Sequence, residues 1–255
     1  MIRKLILIFI ALSFFSVCFA GSIQDMHKAA IARKNAVVIT TPTYRAFGSC
    51  QGSCTNYGTT ATASITVVSG SNQCIIAYAI SGADRTFSGA TYDGNAMTLI
   101  VAEYDGNREV AMYQYCTAPL GTGAKDVVVT ISSDHVIALW AAQFDGVKIS
   151  DPINTFASDM NTGADPNDIS VTVDTTGQDN CLLVSGVSVS DSNETLAVDG
   201  TGQTLLGYVQ EPGTIAANGG YFDKATAGSQ DQDYTSSGTW TDLQEIVIAL
   251  NPAGS

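Results

Sequence analysis

The stretch Ser71-Asn72-Gln73-Cys74-Ile75-Ile76-Ala77-Tyr78-Ala79-Ile80 returns as Gln178-Asp179-Asn180-Cys181-Leu182-Leu183-Val184-Ser185-Gly186-Val187. In both copies a polar turn leads into Cys, two large aliphatics and an alternation of large and small side chains. A short, near-continuous apolar run bounded by turn residues reads as a strand in the middle of a sheet. The recurrence extends to other segments. Ile169 to Val173 answers Ala63 to Val67, Thr204-Leu205-Leu206 answers Thr98-Leu99-Ile100, and Ile246 to Leu250 answers Trp140 to Phe144. The separation stays at 106 or 107 residues, so the chain reads as a duplication with halves 61–147 and 168–252.

Each half carries about five or six short strands, with turn signals every 8 to 12 residues or so. Asp93-Gly94-Asn95 and Asp105-Gly106-Asn107 are such turns, because Gly and Asn tolerate positive φ. Val127 to Ile131 and Val136 to Phe144 read as two strands closing the first half. Residues 41–60 read as a long polar loop, 146–167 as a polar connector, and strand limits between Tyr208 and Trp240 are blurred by small residues. One half alone would leave an apolar face in water, so the halves are expected to share a core. The expected fold is all-β: an antiparallel two-sheet β-sandwich, jelly-roll-like, built from two similar halves.

The N-terminus has a different character. Arg3 and Lys4 precede an apolar run from Leu5 to Phe15 and then Ser16-Val17-Cys18-Phe19-Ala20, the pattern of a secretory signal cleaved after Ala20. A lipoprotein anchored through Cys18 is the alternative, which Val17 before the Cys fits poorly. Ser22 to Lys34 reads as a short helix, and Ala36-Val37-Val38-Ile39-Thr40 as a strand. The expected organisation is a signal at 1–20, an N-terminal helix, strand and Cys-containing loop at 21–60, and one domain at 61–252. Without Arg3 and Lys4 the mature chain carries nine bases against 24 acids, a net charge of −15. Such a surface repels nucleic acid and anionic membranes, so neither is expected as a partner.

Five cysteines remain after cleavage, at 50, 54, 74, 116 and 181. Exported proteins oxidise such pairs, and an odd number leaves at least one thiol unpaired or paired between chains. Cys50 and Cys54 are close enough for a local bridge. Cys74, Cys116 and Cys181 read as small core residues. A second bridge between Cys74 and Cys181, which hold matching positions in the two copies, is the further candidate.

Candidate chemistry is sparse. His27 and His135 are the only histidines, too few for a His-rich metal site, and no nucleophile-elbow pattern accompanies them. Glu103 with Asp105, Asp231 with Asp233, and Glu194 are carboxylates of the kind glycoside hydrolysis needs. Asp159, Asn161 and Asp165 alternate oxygen ligands as calcium prefers, without the Gly and terminal Glu of an EF-hand loop. No other cofactor is expected. Tyr104, Tyr208, Tyr221, Tyr234 and Trp240 are candidate platforms for a glycan. Residues 36–40 are a candidate donor strand to a neighbouring subunit's sheet edge.

Three segments resemble a loosely defined group of secreted bacterial and phage-associated β-sandwich domains: Thr91 to Leu99, Gln143-Phe144-Asp145-Gly146-Val147, and Ile248-Ala249-Leu250-Asn251-Pro252. The resemblance implies surface binding or structure rather than catalysis and offers no functional residues to carry over. The extra Cys residues and the region before residue 61 depart from it. The sequence therefore points to a secreted, non-catalytic β-sandwich for adhesion, glycan recognition or extracellular structure. A self-assembling subunit of a surface filament or appendage is second, and a glycan-directed hydrolase third. The expected partners are an extracellular glycan or neighbouring subunits.

Overall fold

The computed structural model describes residues 39–50, 54–82, 86–117, 119–161, 168–189, 195–211, 215–237 and 242–254. The signal segment, the helix expected over 22–34 and most of the strand expected over 36–40 lie outside the described residues. The described chain is all-β, its sheets are antiparallel, and it contains no helix.

Two series of strands follow one another. The first is β1 (Thr43–Ser49), β2 (Thr55–Val67), β3 (Cys74–Ser81), β4 (Phe87–Tyr92), β5 (Asn95–Ala96), β6 (Thr98–Tyr104), β7 (Glu109–Cys116) and β8 (Gly123–Asp145). The second is β9 (Ile153–Asn161), β10 (Asp168–Asp174), β11 (Cys181–Val189), β12 (Leu196–Val198), β13 (Thr204–Glu211), β14 (Ile215–Lys224), β15 (Ser229–Ser236) and β16 (Leu243–Leu250). In the second half one ladder runs β13-β14-β11-β16-β9 and another β10-β15-β12. In the first half β6-β7-β3-β8-β1 and β2-β8-β4 are paired in the same order, followed by the short β5.

The difference between the halves lies in β8. Its 23 residues serve both ladders: the early part pairs β2 and β4, and the stretch from Ile137 to Asp145 pairs β3 and β1. The first half is thereby one nearly closed sheet, whereas β15 and β16 divide the same task in the second. The duplication reaches down to the irregularities. The β6–β7 register slips between Leu99 and Val101, and β13–β14 slips between Leu205 and Gly207. One extra residue, Arg45 in β1 and Asn154 in β9, bulges from each first strand. Between β4 and β5, Asp93 and Gly94 have φ of 49° and 79°, the pair of positive angles that a tight Asp-Gly hairpin requires.

Three expectations are corrected. Residues 41–60 are not a loop, since β1 and the start of β2 occupy most of them. Residues 146–167 are not merely a connector, since β9 lies within them. The correspondence thus begins with β1 and β9, ahead of residues 61 and 168. Val127–Ile131 and Val136–Phe144 are parts of the single strand β8. The first two share a cause, since edge strands carry polar residues that read as loop, whereas β8 was divided because Ser132, Ser133 and Asp134 within it are polar and exposed.

The register also corrects the alignment of the two copies. Cys74 stands opposite Phe144, and the residue opposite Leu250, the counterpart of Phe144, is Leu182. The counterpart of Cys74 is therefore Leu182, not Cys181. A one-residue slip in a strand moves every side chain to the other face. Cys181 accordingly packs with Val171, Val173, Leu183, Val247 and Ala249 inside the second half. Leu182, Val184, Ile246, Ile248 and Leu250 join a different cluster, one that contains the first half's Ile76, Tyr78, Trp140 and Phe144. Both faces of β11 and β16 are thus covered, which is why every residue of these strands is buried and the sequence shows no polar alternation there.

Candidate functional site

Where the halves meet, the outer strands face one another in two places. β1 lies against β13 at one seam. β9 lies beside β6 at the other, where Ser158 Oγ donates to Glu103 Oε1 at 2.8 Å. The duplication makes these two seams counterparts, and their contents differ.

At the first seam Tyr44 stacks on Tyr221, ring centroids 5.6 Å apart, and Phe47 stacks on Trp140 at 6.2 Å. Phe47 lies over Gly207, where an added Cβ would stand 2.5 Å from its ring. Glycine here leaves the space that the ring fills. This end of the interface is closed by aromatic rings.

At the second seam register assigns the counterparts residue by residue. Ile153 stands for Tyr44, Gln114 for Tyr221, Phe156 for Phe47 and Val101 for Gly207. The stacked tyrosine pair is absent. Val101 carries a side chain where Gly207 has none, and Phe156 is 49% exposed. Here lies a cleft of about 450 Å³ lined by Leu99, Ile100, Gln114, Ile153, Asn154, Thr155 and Phe156. Leu99 on its rim is also 49% exposed. A volume of this size lies within the range of ligand pockets. β6 and β9 are terminal strands of their ladders, so their outer backbone N–H and C=O groups are not engaged by a further strand among the described residues.

The sequence-derived candidates are distributed elsewhere. Cys50 and Cys54 form a disulfide, as expected. Cys74 bridges Cys116, its direct partner across β3 and β7, and not Cys181. Cys181 is a buried free thiol, pushed up to about 11 by burial and then by Asp179. Asp159 lies exposed on β9, its carboxylate accepting from the Met160 N–H at 2.8 Å, and Asn161 ends that strand opposite Leu243. Asp165 lies outside the described residues, and no group of three His, Cys, Asp or Glu suited to a metal occurs among those described.

Asp105 ties down a turn by accepting from the N–H groups of Asn107 and Arg108, both at 2.6 Å, and takes a third bond from Gln244 Nε2. Asp231 accepts from Thr172 Oγ1 at 2.6 Å across the β10–β15 pair. His27, Glu194 and Trp240 lie outside the described residues. Tyr234 is fully buried, its hydroxyl 2.7 Å from Ser185 Oγ, and Tyr221 is taken up by Tyr44, so neither is a glycan platform. Tyr208 is half-buried, while Tyr104, at the end of β6, is 45% exposed. Ile39 is exposed, and Thr40 forms an antiparallel bridge with Ala253.

A buried group that the sequence did not single out is Glu245. Neither carboxyl oxygen has a hydrogen-bond partner among the described residues. Burial, then Asp233 and Asp159, push its carboxyl well above the usual carboxylate range. Its counterpart in the first half is Leu139, also fully buried.

No family model matches the chain, and no curated protein does. Among solved structures, an anti-sigma factor domain-containing protein aligns at 12% identity over 76% of this chain and 83% of its own, with a TM-score of 0.20. A second, from Clostridium clariflavum, aligns at 10% identity over 76% of each chain, again at 0.20. The M1 zinc metallopeptidase of Deinococcus radiodurans aligns at 10% identity over 82% of this chain and 42% of its own, with a TM-score of 0.18. Scores this low carry neither fold nor function across.

The cleft was not legible as a motif. Its signal is a difference between two copies, Val101 against Gly207 and Ile153 with Gln114 against two tyrosines, and it emerges only once the register is known.

Proposed function

We propose that the chain is an exported, non-catalytic β-sandwich module serving adhesion, glycan recognition or extracellular structure, and that the open seam between β6 and β9 is its binding site. The fold is read as a jelly-roll-like, two-sheet β-sandwich built from two similar halves. Export is supported by the N-terminal signal pattern and by two disulfides, which persist in oxidising compartments. No helix among the described residues is long and apolar enough to cross a membrane.

The observation that carries the reading is the cleft itself. A solvent-facing groove with Leu99 and Phe156 exposed stands between two terminal strands where the same molecule, at its other seam, covers the equivalent surface with rings. Exposed apolar surface that a protein has the means to cover and leaves open marks an interaction site. The test is a glycan array together with a panel of immobilised extended peptides, probed with the mature chain and with a Leu99→Ser/Phe156→Ser variant. Binding that weakens at least tenfold in the variant supports the site. Binding that ignores both substitutions removes it.

A self-assembling subunit is the second reading. It is favoured by the exposed Ile39 at the head of the described chain and by the open outer edges of β6 and β9. Size-exclusion chromatography of the mature chain with and without residues 21–40 tests it, and a monomer in both cases rejects it.

A further inference from the structure

Resting on the cleft reading, we infer that its occupant is an extended peptide segment that lies along β9, sends an aromatic side chain between Ile153 and Gln114, and carries a basic residue toward Glu103.

The interface between the halves continues into the cleft, and its opposite end shows what completes it. There Tyr44 and Tyr221 supply a stacked pair of rings, where the cleft has an aliphatic side chain and an amide. What is missing is that pair of rings, and with Ile153 and Gln114 in their place the cleft has room for an aromatic side chain from outside. Aromatic side chains prefer offset or edge contacts with neighbouring rings, and the exposed Phe156 offers such a face at the cleft mouth.

β9 pairs with β16 on one side only, so the groups on its outer side suit strand addition, in which main-chain bonds hold the segment and side-chain pockets select it. Leu99, Ile100, Ile153 and Phe156 offer such a segment apolar contacts, and Gln114, Asn154 and Thr155 offer polar ones.

The chain carries 24 acids against 11 bases, and Glu103 stands opposite Val110, four residues along β7 from Gln114. An extended strand rises about 3.3 Å per residue, so four residues span roughly 13 Å. A Lys or Arg four residues from the ring is on the same face of the segment and reaches that carboxylate.

The experiment uses fluorescence polarisation with the mature chain and a labelled, capped peptide Thr-Tyr-Thr-Val-Thr-Lys, together with its reversed sequence, its Tyr→Ala form and its Lys→Glu form. One of the two directions is expected to bind. Tyr→Ala is expected to weaken binding at least tenfold, and Lys→Glu several-fold, with the latter effect fading at high salt. An Ile153→Tyr/Gln114→Tyr chain builds the missing ring pair into the cleft and is expected to lose peptide binding while unfolding no earlier than the parent. Leu99→Ser, at an exposed position, is a second variant whose folding is not at stake, and it too is expected to weaken binding. Equal binding of the Tyr→Ala peptide, binding unaffected by the filled cleft and by Leu99→Ser, or silence of every peptide overturns the inference. If glycans bind and the filled variant loses them, the inference falls while the cleft remains the site. If neither ligand class responds to the filling, both fall.

Discussion

Tyr78 lies directly over Gly186, the residue that holds its own position in the second half. Contact between counterparts is what a pseudo-two-fold axis produces, because residues near the axis meet their own equivalents. Here the pair is asymmetric: a large ring on one side and no side chain on the other. Tyr78 also stacks on Trp140 at 5.8 Å and places its hydroxyl 2.9 Å from Ser188 Oγ. Any side chain at 186 therefore displaces the central ring of the interface. Gly186→Val is expected to cost about 1–3 kcal/mol, as overpacking of a filled core does, and to lower the urea midpoint accordingly. Combined with Tyr78→Ala, the same substitution is expected to cost less than the sum of the two single changes, which a double-mutant cycle measures.

The seam closed by rings makes a second case. Gly207→Val places in β13 the residue that its counterpart, Val101, already is. It is expected to push Phe47 off Trp140, to destabilise by about 1–3 kcal/mol, and to shift tryptophan emission to the red as Trp140 gains water. Unchanged emission and stability would contradict the steric account of why one seam is closed and the other open.

Glu245 couples stability to pH. Its folded-state proton affinity is raised above the unfolded value, with burial the first cause and Asp233 and Asp159 following; Tyr78 and Tyr234 are the other titratable groups it influences. A raised carboxyl contributes stability that is fully present below about pH 4, the unfolded value, and is lost as pH rises toward the folded one. Glu245→Gln, which mimics the protonated form, is therefore expected to raise Tm at pH 7 by roughly 3 °C or more and to give no advantage near pH 4. Glu245→Leu copies Leu139 of the first half and is expected to stabilise at both pH values, as replacing an unpartnered buried acid with hydrocarbon does. Thermal scans from pH 4 to 8 on the three proteins decide this.

Thiol titration checks the disulfides. A mature chain unfolded without reductant is expected to react at one thiol, Cys181, and after reduction at all five cysteines. Replacing Cys74 and Cys116 by Ala is expected to cost about 2–4 kcal/mol, since the bridge spans 42 residues of chain. Protection of Cys181 through pairing with Cys74 would overturn the assignment.

The duplication was legible because β3 and β11 are buried on both faces and keep their apolar runs. The Asp93-Gly94 hairpin was legible because its angles admit few residues. The register was not. Matching Cys74 with Cys181 by identity outweighed facing, and facing is set by hydrogen-bonded partners that a sequence does not display. β1 and β9 went unread for a related reason. Arg45, Asn154 and Asp159 belong to strands with an open side, where polar residues and bulges are tolerated and the pattern resembles a loop. Glu245 stood in an apolar run without announcing itself, because one acid among 24 carries no distinguishing mark until its burial is known.

A strand that belongs to two ladders cannot leave one of them quietly. In the first half β8 threads both, so loosening β2 or β4 at its early end transmits along an unbroken backbone to the pairs with β3 and β1. In the second half β15 and β16 are separate strands, and the small ladder of β10, β12 and β15 can loosen as a flap while β11 and β16 stay docked on the interface. The two copies thus share a plan yet differ in connection: one strand joins both ladders of the first, and none joins those of the second.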